Sequence, residues 1–291
     1  MKKLYVVGNP IEHSKSPLIH NHWLKKYNQD YQYNKLQLSL DDKIFNEQKL
    51  DLIKRIRDGE IKGINITVPF KKKFRDAVDE IDESAQLAKA INTIYKKGKK
   101  IIGSNTDGIG FCNSLKEDFK FNIPESIQIL GAGGAAYGVL SEIIKYKPRY
   151  ILVINRTISN ARKLVTNFKL AGICKKTHWE ISDRIFVPSI VQLFINTSYL
   201  GMEDHHKISG DFFGHMRRET GFVYDINYNK EYTIFNQEAY WRGINPTKNV
   251  NGKYMLIRQA AESFKKWFNI DLNKNDIDEA VGLLKVERNF L

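Results

Sequence analysis

Ser126-Ile-Gln-Ile-Leu-Gly-Ala-Gly-Gly-Ala-Ala136 is the stretch of this chain that decides the fold. Residues 126–130 are typical of a buried strand, and the pattern predicts a tight glycine turn and then a helix. Glycines let the backbone approach a pyrophosphate, and a helix N-terminus supplies partial positive charge. The pattern therefore predicts a dinucleotide site. A glycine turn without any ligand is the alternative. The candidate cofactor residues in the turn are Gly131, Ala132, Gly133, Gly134 and Ala135.

Ile151-Leu-Val-Ile-Asn-Arg-Thr157 follows at the distance expected for the next parallel strand. A protein that prefers NAD usually ends this strand in Asp or Glu, which binds the ribose 2′-hydroxyl. Here the strand ends in Asn155, Arg156 and Thr157, and a guanidinium suits a 2′-phosphate better than a neutral diol. The sequence therefore favours NADP as the cofactor.

The composition indicates a globular protein of about two domains. The chain has 291 residues, of which 42% are hydrophobic and 12% aromatic. No apolar run approaches the roughly 20 residues of a membrane span, and Gly8-Asn9-Pro10 interrupts the short apolar stretch near the N-terminus. Cys112 and Cys174 lack metal or redox spacing, so we expect buried thiols in the reducing cytoplasm.

The net charge of +13 has three possible explanations: nucleic-acid binding, attraction of anionic small molecules, or a lysine-rich solvated surface. The lysines are dispersed, and no motif that combines aromatic and basic residues for nucleic-acid binding is present. We therefore favour the solvated surface and expect no nucleic acid and no membrane as partner. The histidine spacing predicts no metal site, and the hydrolase and phosphate-loop motifs are missing from the sequence.

The hydrophobic pattern predicts an α/β protein. In the first half, helical periods include one that begins at Ser16-Pro17, with Ser16 as the N-cap, and a charged stretch that ends near Ala90. In the second half, strands alternate with helical patterns, as in a parallel sheet. Predicted strands are 4–7, 31–38, 63–69, two within 91–104, 127–130, 151–154, 193–197 and 222–226; further predicted helices are 44–56, 252–268 and 275–285.

Three groups of polar residues in the first half are candidates for a binding site. Ser14 and Ser16 could together bind a carboxylate, or could simply form a turn and a helix cap. Thr67 precedes Lys71, which is the first lysine of an otherwise solvent-type run. Asn92 and Asp107 could be an ordinary strand-end amide and helix N-cap. A lysine and an aspartate in one cleft could hold a proton for the substrate.

Three further groups lie in the second half. Thr197 follows a strand and could line the nicotinamide side of the cofactor site, together with the adjacent Gly201-Met202. Tyr228 and Gln259 could face a substrate, although packing is the simpler explanation for each alone. Met255 is a packing residue that we also assign to the cofactor site.

In order, these segments resemble the shikimate dehydrogenase family. The matching strings extend from residue 8 to 261: Gly8-Asn-Pro-Ile-Glu-His-Ser-Lys-Ser-Pro17, Asn65-Ile-Thr-Val-Pro-Phe-Lys71, Ile91-Asn-Thr93, Asn105-Thr-Asp-Gly108, Leu130-Gly-Ala-Gly-Gly-Ala135, Asn155-Arg-Thr157, Asn196-Thr-Ser198 and Gln259-Ala-Ala261.

The resemblance implies an N-terminal α/β substrate domain over residues 1–106, completed by C-terminal helices in 252–291, and a Rossmann-type NADP domain over 107–251. It implies reversible NADPH-dependent reduction of 3-dehydroshikimate to shikimate in aromatic amino-acid and chorismate biosynthesis, by a monomer or homodimer. Lys71 and Asp107 would be the catalytic pair. The implied substrate residues are Ser14, Ser16, Thr67, Asn92, Tyr228 and Gln259.

The sequence departs from the family pattern at Tyr137 and Asn160, where arginines are frequent, and at Lys230, where proline is common. The first two departures leave dual use of NADP and NAD open, with Arg162 near Arg156. A quinate/shikimate dehydrogenase and a non-catalytic NADP-binding homologue are the alternative functions.

Overall fold

The computed structural model divides this chain into two compact units. One comprises Met1–Gly110 and Ile257–Leu284, and the other is built from Phe111–Leu256. The residues that the structure describes are 2–184, 188, 190–200, 213, 216, 221–228 and 230–284. The predicted Gly201-Met202 contact and residues 285–291 of the predicted substrate domain lie outside them.

Strands and helices alternate along most of the described chain. The strands are β1 (Lys2–Gly8), β2 (Tyr31–Gln37), β3 (Ile61–Ile66), β4 (Glu80–Ile81), β5 (Thr93–Lys97), β6 (Lys100–Ser104), β7 (Ser126–Leu130), β8 (Tyr150–Ile154), β9 (His178–Ser182), β10 (Leu193–Asn196), β11 (Phe222–Asp225) and β12 (Asn249–Val250). The α-helices are α1 (Ser16–Lys26), α2 (Asp42–Asp58), α3 (Glu83–Ala88), α4 (Asp107–Asn113), α5 (Gly134–Ile143), α6 (Ile158–Leu170), α7 (Ile234–Trp241), α8 (Lys253–Phe268) and α9 (Lys274–Leu283).

The sheet of the first unit is mixed. Its described strands have the order β2-β1-β3-β5-β6-β4. β1 pairs in parallel with β2 and β3, whereas β5 is antiparallel to both β3 and β6. The carboxyl end of β3 therefore lies beside the amino end of β5, with Asn65 opposite Thr93. This register brings the residues after β3 close to those before β5.

The charged helix predicted to end near Ala90 is wrong for most of its length. A short 3-10 turn at Phe70–Lys72 is followed by turns and the two-residue strand β4, and only Glu83–Ala88 is helical. The backbone N–H groups of Asp79 and Asp82 donate to carbonyls of β6. Pairing with the sheet edge thus replaces the i to i−4 bonds of a helix.

Helix α1 begins one residue earlier than expected. Lys15 is the N-cap and makes no side-chain capping bond, while Ser16 is the first helical residue, followed by Pro17. The Ser14 hydroxyl accepts a bond from the Ser16 backbone N–H at 3.4 Å. The expectation that Ser16 is the N-cap is therefore wrong, because Ser14 provides the side chain nearest to the first helical N–H.

The sheet of the second unit is parallel throughout its described strands. Their order is β12-β11-β10-β7-β8-β9. Counted from the first strand of this unit, that is 6-5-4-1-2-3, the strand order of the dinucleotide-binding Rossmann fold. The order reverses between β7 and β10, and ligands of such sheets bind at the carboxyl ends of the strands on either side of this point.

Two strands of this sheet, β9 and β12, were not predicted. β9 is an edge strand in which only Trp179 is buried, and β12 has two residues. Both are too short or too exposed to carry a clear hydrophobic period. The central strands β7 and β8 are buried at every position, which explains why the sequence predicted them well.

Each unit has its own apolar core. Phe45, Phe70 and Phe74 pack in the first core, and Leu152, Phe194 and Phe235 in the second. Cys112 and Cys174 are buried free thiols, as predicted. Among the described residues, every helix is too short or too polar to traverse a bilayer.

The C-terminal helices complete the first unit. Helix α9 packs against α1, and its Asp276 accepts bonds from the Tyr27 hydroxyl at 2.7 Å and from the Asn273 backbone at 2.8 Å. The Lys26 ammonium lies 2.8 Å from the other carboxylate oxygen of Asp276. One short-range capping bond and two long-range contacts, the Tyr27 hydrogen bond and the Lys26 ion pair, therefore hold α9 in place.

Candidate active site

An ion pair between Lys71 and Asp107 is the centre of a polar cluster in the first unit. Lys71 Nζ lies 2.6 Å from Asp107 Oδ2. The Lys71 side chain is 25% exposed and that of Asp107 only 6%, so the ammonium can reach a small molecule while the carboxylate stays covered. This is the geometry of a positioned proton donor with a fixed counter-charge.

Aromatic packing fixes the turn that carries Lys71. The ring of Phe70 stacks on that of Phe45 with centroids 4.6 Å apart, and Phe74 meets Phe45 edge-on at 5.8 Å. The Lys71 carbonyl accepts a bond from the Ile91 backbone N–H at 2.7 Å. Phe70 and Phe74, on either side of the three-lysine run, are buried in the core. Of the three lysines, Lys71 is the one whose side chain is bonded to Asp107.

Asn92 connects the Lys71–Asp107 pair to helix α8. Its Nδ2 donates to Asp107 Oδ1 at 2.8 Å and to Gln259 Oε1 at 3.2 Å. The side chain is 3% exposed. Four of the predicted site residues, Lys71, Asn92, Asp107 and Gln259, thus form one hydrogen-bonded cluster.

Gly110 makes this arrangement sterically possible. A Cβ at Gly110 would lie 2.6 Å from the Gln259 backbone nitrogen and 2.8 Å from its Cα. Only glycine lets helix α4, which begins at Asp107, approach α8 this closely. The distance between Asp107 and Gln259 therefore depends on a glycine three residues after the aspartate.

The remaining predicted substrate residues lie in loops, except Ser16, which is the first residue of α1. Ser14 and Ser16 are partly exposed at the start of α1, and Thr67 is partly exposed just after β3. Thr67 is held by a backbone bond from its N–H to the Val7 carbonyl at 2.9 Å. Tyr228 lies in the second unit after β11, where burial raises the pKa of its hydroxyl.

The glycine turn of the second unit has the form that the sequence predicted. Gly131 has a φ of +106°, and a Cβ there would lie 2.7 Å from Thr197 Oγ1. A Cβ on Gly133 or Gly134 would meet no protein atom within 4 Å, so both open onto free space at the first turn of α5. The N-cap, Gly133, has no side chain that could cover the first N–H groups of α5. These are the features that a bound pyrophosphate requires.

The three residues after β8 divide into one internal and two exposed positions. Asn155 Oδ1 accepts from the Ala132 backbone N–H at 3.1 Å, and its Nδ2 donates to the Thr157 carbonyl at 2.9 Å. Asn155 therefore ties the glycine turn to the end of β8. Arg156 and Thr157 are exposed, and the bonds of Thr157 to Asn155 and Asn160 use its backbone carbonyl.

Thr197 occupies the point where the strand order reverses. Its hydroxyl and its backbone N–H both donate to the Leu130 carbonyl at 2.8 Å. Its side chain thus closes the carboxyl ends of β7 and β10 beside Gly131. Met255 is buried at 8% exposure near the start of α8.

Asp225 is a buried carboxylate to which sequence reasoning assigned no role. Burial raises its pKa to about 7, against the opposing effect of bonds from Thr233, Asn227 and Asn196. Thr233 Oγ1 donates to Oδ2 at 2.6 Å, and Asn227 Nδ2 donates to Oδ1 at 2.8 Å. Asp225 therefore anchors the loop after β11, which leads to Tyr228.

Sequence reasoning also gave no role to four polar residues behind Asn92, of which three are buried and Asn65 is partly buried. Tyr33, Asn65, Thr93 and Ser263 form a continuous hydrogen-bond network. A signal existed for Ser263, because it stands four residues after Gln259 and so on the same face of α8. The others lie in strands, where alternation hides a polar residue that points into a protein interior.

Comparison with known proteins identifies relatives over the whole chain. Residues 6–94 match the family model described as the shikimate dehydrogenase substrate binding domain. A shikimate dehydrogenase (NADP(+)) of Pelagibacter ubique is 38% identical over 293 residues, covering 98% of this chain and 100% of that protein. The enzyme of the same name from Bacillus subtilis is 35% identical over 276 residues, or 92% of each chain.

Solved structures agree. A shikimate dehydrogenase in complex with NADP⁺ has a TM-score of 0.82 and 32% identity, covering 97% of this chain and 94% of that one. A shikimate 5-dehydrogenase of Listeria monocytogenes, solved with shikimate and NAD, has a TM-score of 0.81 and 25% identity, covering 96% of each. By whole-length identity and by fold, with a substrate domain and a Rossmann-type domain, this chain belongs to the shikimate dehydrogenase family.

Proposed function

We propose that this chain catalyses the reversible NADPH-dependent reduction of 3-dehydroshikimate to shikimate, a step of aromatic amino-acid and chorismate biosynthesis. The family supports this reaction, since relatives more than 30% identical over nearly the whole chain carry the name shikimate dehydrogenase (NADP(+)). The observation that carries the proposal is the 2.6 Å pair of Lys71 and Asp107, held by Asn92.

The chemistry divides between cofactor and protein. When bound, NADPH supplies a hydride to the C3 carbonyl of the substrate. Lys71 Nζ stabilises the negative charge that develops on the carbonyl oxygen and donates the proton to it; in the reverse direction the same amine accepts the proton. Proton transfer by a positioned group contributes about 10²–10⁴-fold to a rate, or roughly 3–5 kcal/mol of barrier.

Asp107 keeps the ammonium in place. Its Oδ2 faces Lys71 and its Oδ1 accepts from Asn92, so the carboxylate cannot rotate without breaking two bonds. A fixed, covered counter-charge holds the amine of Lys71 at one position before hydride transfer. Asp107 also has the acceptor capacity to bind a hydroxyl next to the reacting carbon.

The other substrate contacts are assigned by their hydrogen-bonding capacity. Ser14 and Ser16 bind the substrate carboxylate, with Tyr228 nearby. Thr67, Asn92 and Gln259 bind the ring oxygens. Because Gln259 Oε1 already accepts from Asn92, its Nε2 is the group left to donate to a ring hydroxyl.

The cofactor is assigned to the second unit. Residues Gly131 to Ala135 hold the pyrophosphate at the N-terminus of α5, and Thr197 and Met255 lie on the nicotinamide side. Arg156 and Thr157 hold the 2′-phosphate, while Asn155 orders the turn. The open space at Gly133 and Gly134 supports this assignment.

The wider organisation follows the same proposal. Residues 1–106 with 252–291 form the substrate domain, and residues 107–251 the NADP domain. The protein acts in the cytoplasm as a monomer or homodimer on small molecules, without nucleic acid, and its +13 charge favours the approach of acidic ligands.

One assay tests the function. The purified chain is mixed with shikimate and NADP⁺, and the absorbance of the reduced nicotinamide is followed; the assay is repeated with NAD⁺ and with quinate. Turnover with shikimate and NADP⁺ supports the proposal. Comparable turnover of quinate identifies a quinate/shikimate dehydrogenase instead, and NADP⁺ binding without turnover identifies a non-catalytic homologue.

A further inference from the structure

Two hydroxyl groups lie directly behind the predicted substrate contacts. Thr93, at the start of β5, and Ser263, on α8, are both 0% exposed, and their side-chain oxygens are 2.8 Å apart. Full burial prevents either hydroxyl from touching a substrate. Each is bonded to a residue that we assign to the substrate: Thr93 to Asn92, and Ser263 to Gln259.

The orientation of the Asn92 amide follows from a backbone donor. The Thr106 backbone N–H lies 2.9 Å from Asn92 Oδ1, and a backbone N–H can only donate. The oxygen of the amide therefore faces Thr106 and its nitrogen faces Asp107. The Thr93 hydroxyl, 2.9 Å away, donates to the same oxygen and reinforces this orientation.

The direction of the bond between Thr93 and Ser263 follows from the bond between Thr93 and Asn92. A threonine hydroxyl has one proton, and Thr93 gives it to Asn92, so its oxygen is free to accept from Ser263. Ser263 also has one proton, which it shares between two acceptors: the Thr93 oxygen at 2.8 Å and the Gln259 backbone carbonyl, one helical turn earlier, at 3.1 Å. The hydroxyl pair thus joins α8 to β5 at the level of Gln259.

Asn65 and Tyr33 hold the pair from the other side. Asn65 Nδ2 lies 3.0 Å from both the Thr93 and the Ser263 hydroxyl oxygens. It also lies 3.2 Å from the Asn92 carbonyl, which can only accept, so the oxygen of the Asn65 amide faces the Tyr33 hydroxyl at 2.6 Å. The ring of His20 stacks on that of Tyr33 with centroids 4.3 Å apart. Burial lowers the pKa of His20 to about 3, so the imidazole beside Tyr33 is uncharged.

We propose that Thr93 and Ser263 are positioning residues that set the register of α8 against Asn92, so that the Asn92 and Gln259 side chains meet at the substrate ring. The proposal rests on the proposed function, because it acts through two residues assigned there. Its physical basis is that a buried polar network with all its members bonded specifies one arrangement of the elements it joins.

Removing the Thr93 or Ser263 hydroxyl should weaken substrate binding selectively. Without the hydroxyl pair, Asn92 keeps its bonds to Thr106 and Asp107, but the 3.2 Å bond from Asn92 to Gln259 is no longer enforced. One net hydrogen bond to the substrate corresponds to about a 3- to 10-fold change in binding. We expect the KM for shikimate to rise by about that factor, the KM for NADP⁺ to stay unchanged, and kcat to fall less than the KM rises.

The test compares Thr93→Val and Ser263→Ala with two kinds of control. Thr93→Val keeps the shape of the side chain and removes the hydroxyl, whereas Thr93→Ser keeps the hydroxyl and should restore the wild-type KM for shikimate. Ser141→Ala removes another buried hydroxyl, which donates to the Gly138 carbonyl at 2.6 Å within α5. It should leave the KM for shikimate unchanged.

A double-mutant cycle separates positioning from general destabilisation. If Ser263 acts through Gln259, Gln259→Ala raises the KM for shikimate strongly in the wild type but adds little in the Ser263→Ala background. Additive increases overturn the proposal, as do an unchanged KM for shikimate in both hydroxyl variants or an equal rise in both KM values. If the wild type itself does not oxidise shikimate, the proposed function fails and this inference falls with it; if the wild type is active and the variants are normal, only the inference fails.

Discussion

Lys71 Nζ and Asp107 Oδ2 lie 2.6 Å apart although 36 residues separate them in the chain. Lys71 stands in a 3-10 turn after β3, and Asp107 is the first residue of α4. The two segments meet because β5 is antiparallel to both β3 and β6, so the residues after β3 and those after β6 lie beside the start of β5. There the Lys71 carbonyl accepts a bond from the Ile91 backbone N–H. The pairing of these three strands thus creates the charge pair on which the proposed chemistry depends.

Replacing Lys71 tests its role in proton transfer. Lys71→Ala removes the group that donates the proton but leaves the proposed ring and carboxylate contacts, so we expect kcat to fall at least about 100-fold with little change in KM. Steady-state kinetics with shikimate and NADP⁺ measure both. Lys72→Ala, at the exposed neighbouring position, is the matched control and should keep kcat within about twofold. A normal kcat in Lys71→Ala excludes the amine from the reaction.

Replacing Arg156 tests the preference for NADP. We expect the wild type to have the higher kcat/KM with NADPH than with NADH, because the guanidinium binds a 2′-phosphate. Arg156→Ala should lower kcat/KM for NADPH by about 10-fold or more, the value of a hydrogen bond to a charged group, and leave the value for NADH unchanged. Arg149→Ala is the control, since Arg149 precedes the opposite end of β8 and its side chain is 80% exposed. An equal loss of kcat/KM with NADPH and with NADH would show that Arg156 does not bind the 2′-phosphate.

The buried Asp225 predicts a stability that depends on pH. Burial raises its pKa to about 7, so between pH of about 4 and 7 the folded state holds a proton that the unfolded state releases. The contribution of Asp225 to the free energy of unfolding is therefore complete below pH 4 and declines as the pH rises toward 7. The decline is on the order of 4 kcal/mol for a shift of this size.

Denaturant unfolding at several pH values measures this effect. The difference in free energy of unfolding between the wild type and Asp225→Asn should decrease from pH 4 to pH 7 and then remain constant. Asp183→Asn changes an exposed carboxylate and should show no such trend. A difference that is constant with pH would mean that Asp225 keeps an ordinary pKa.

The Asp276 carboxylate predicts the opposite dependence. Burial alone would raise its pKa, but bonds from Lys26 and Tyr27 outweigh burial, so the pKa is lowered. Its contribution to stability is present above the unfolded pKa of about 4 and is lost as the pH falls below it. Asp276→Asn should lower the Tm at pH 7 by on the order of 5 °C.

Thermal unfolding at pH 7 and at pH 3 checks the sign. The Tm difference between the wild type and Asp276→Asn should shrink at the lower pH. Asp278→Asn, on the exposed side of the same helix, is the control and should change the Tm little at either pH. A Tm difference that grows on acidification would contradict the lowered pKa.

Much of the fold could be predicted because it is encoded locally. The glycine turn of residues 131–135 and the buried strands β7 and β8 appear in the sequence as continuous patterns. The Rossmann order of the sheet and the return of α8 and α9 to the first unit came from the family resemblance, and the structure has both. The prediction failed at the edge: the helix expected before Ala90 is mostly turns and β4, because backbone groups there pair with β6.

The candidate site is encoded differently in its two halves. Around Gly131 the residues that matter are neighbours in the chain, so spacing was informative. Around Asp107 they are distant: Asn92 and Gln259 are 167 residues apart yet bonded at 3.2 Å. No local pattern distinguishes Lys71 from the two lysines after it, and none indicates the Thr93–Ser263 pair.

The sequence by itself determined most of the strands, helices and turns away from the sheet edges, because hydrophobic period, glycine and proline act within a few residues of the chain. Only the tertiary structure decided which polar groups meet. The antiparallel pairing of β5 with both β3 and β6 brings Lys71 to Asp107, and the absence of a side chain at Gly110 lets Gln259 approach. Such contacts depend on packing between distant segments, where a gap of one methyl group or a shift of one residue separates a hydrogen bond from a clash.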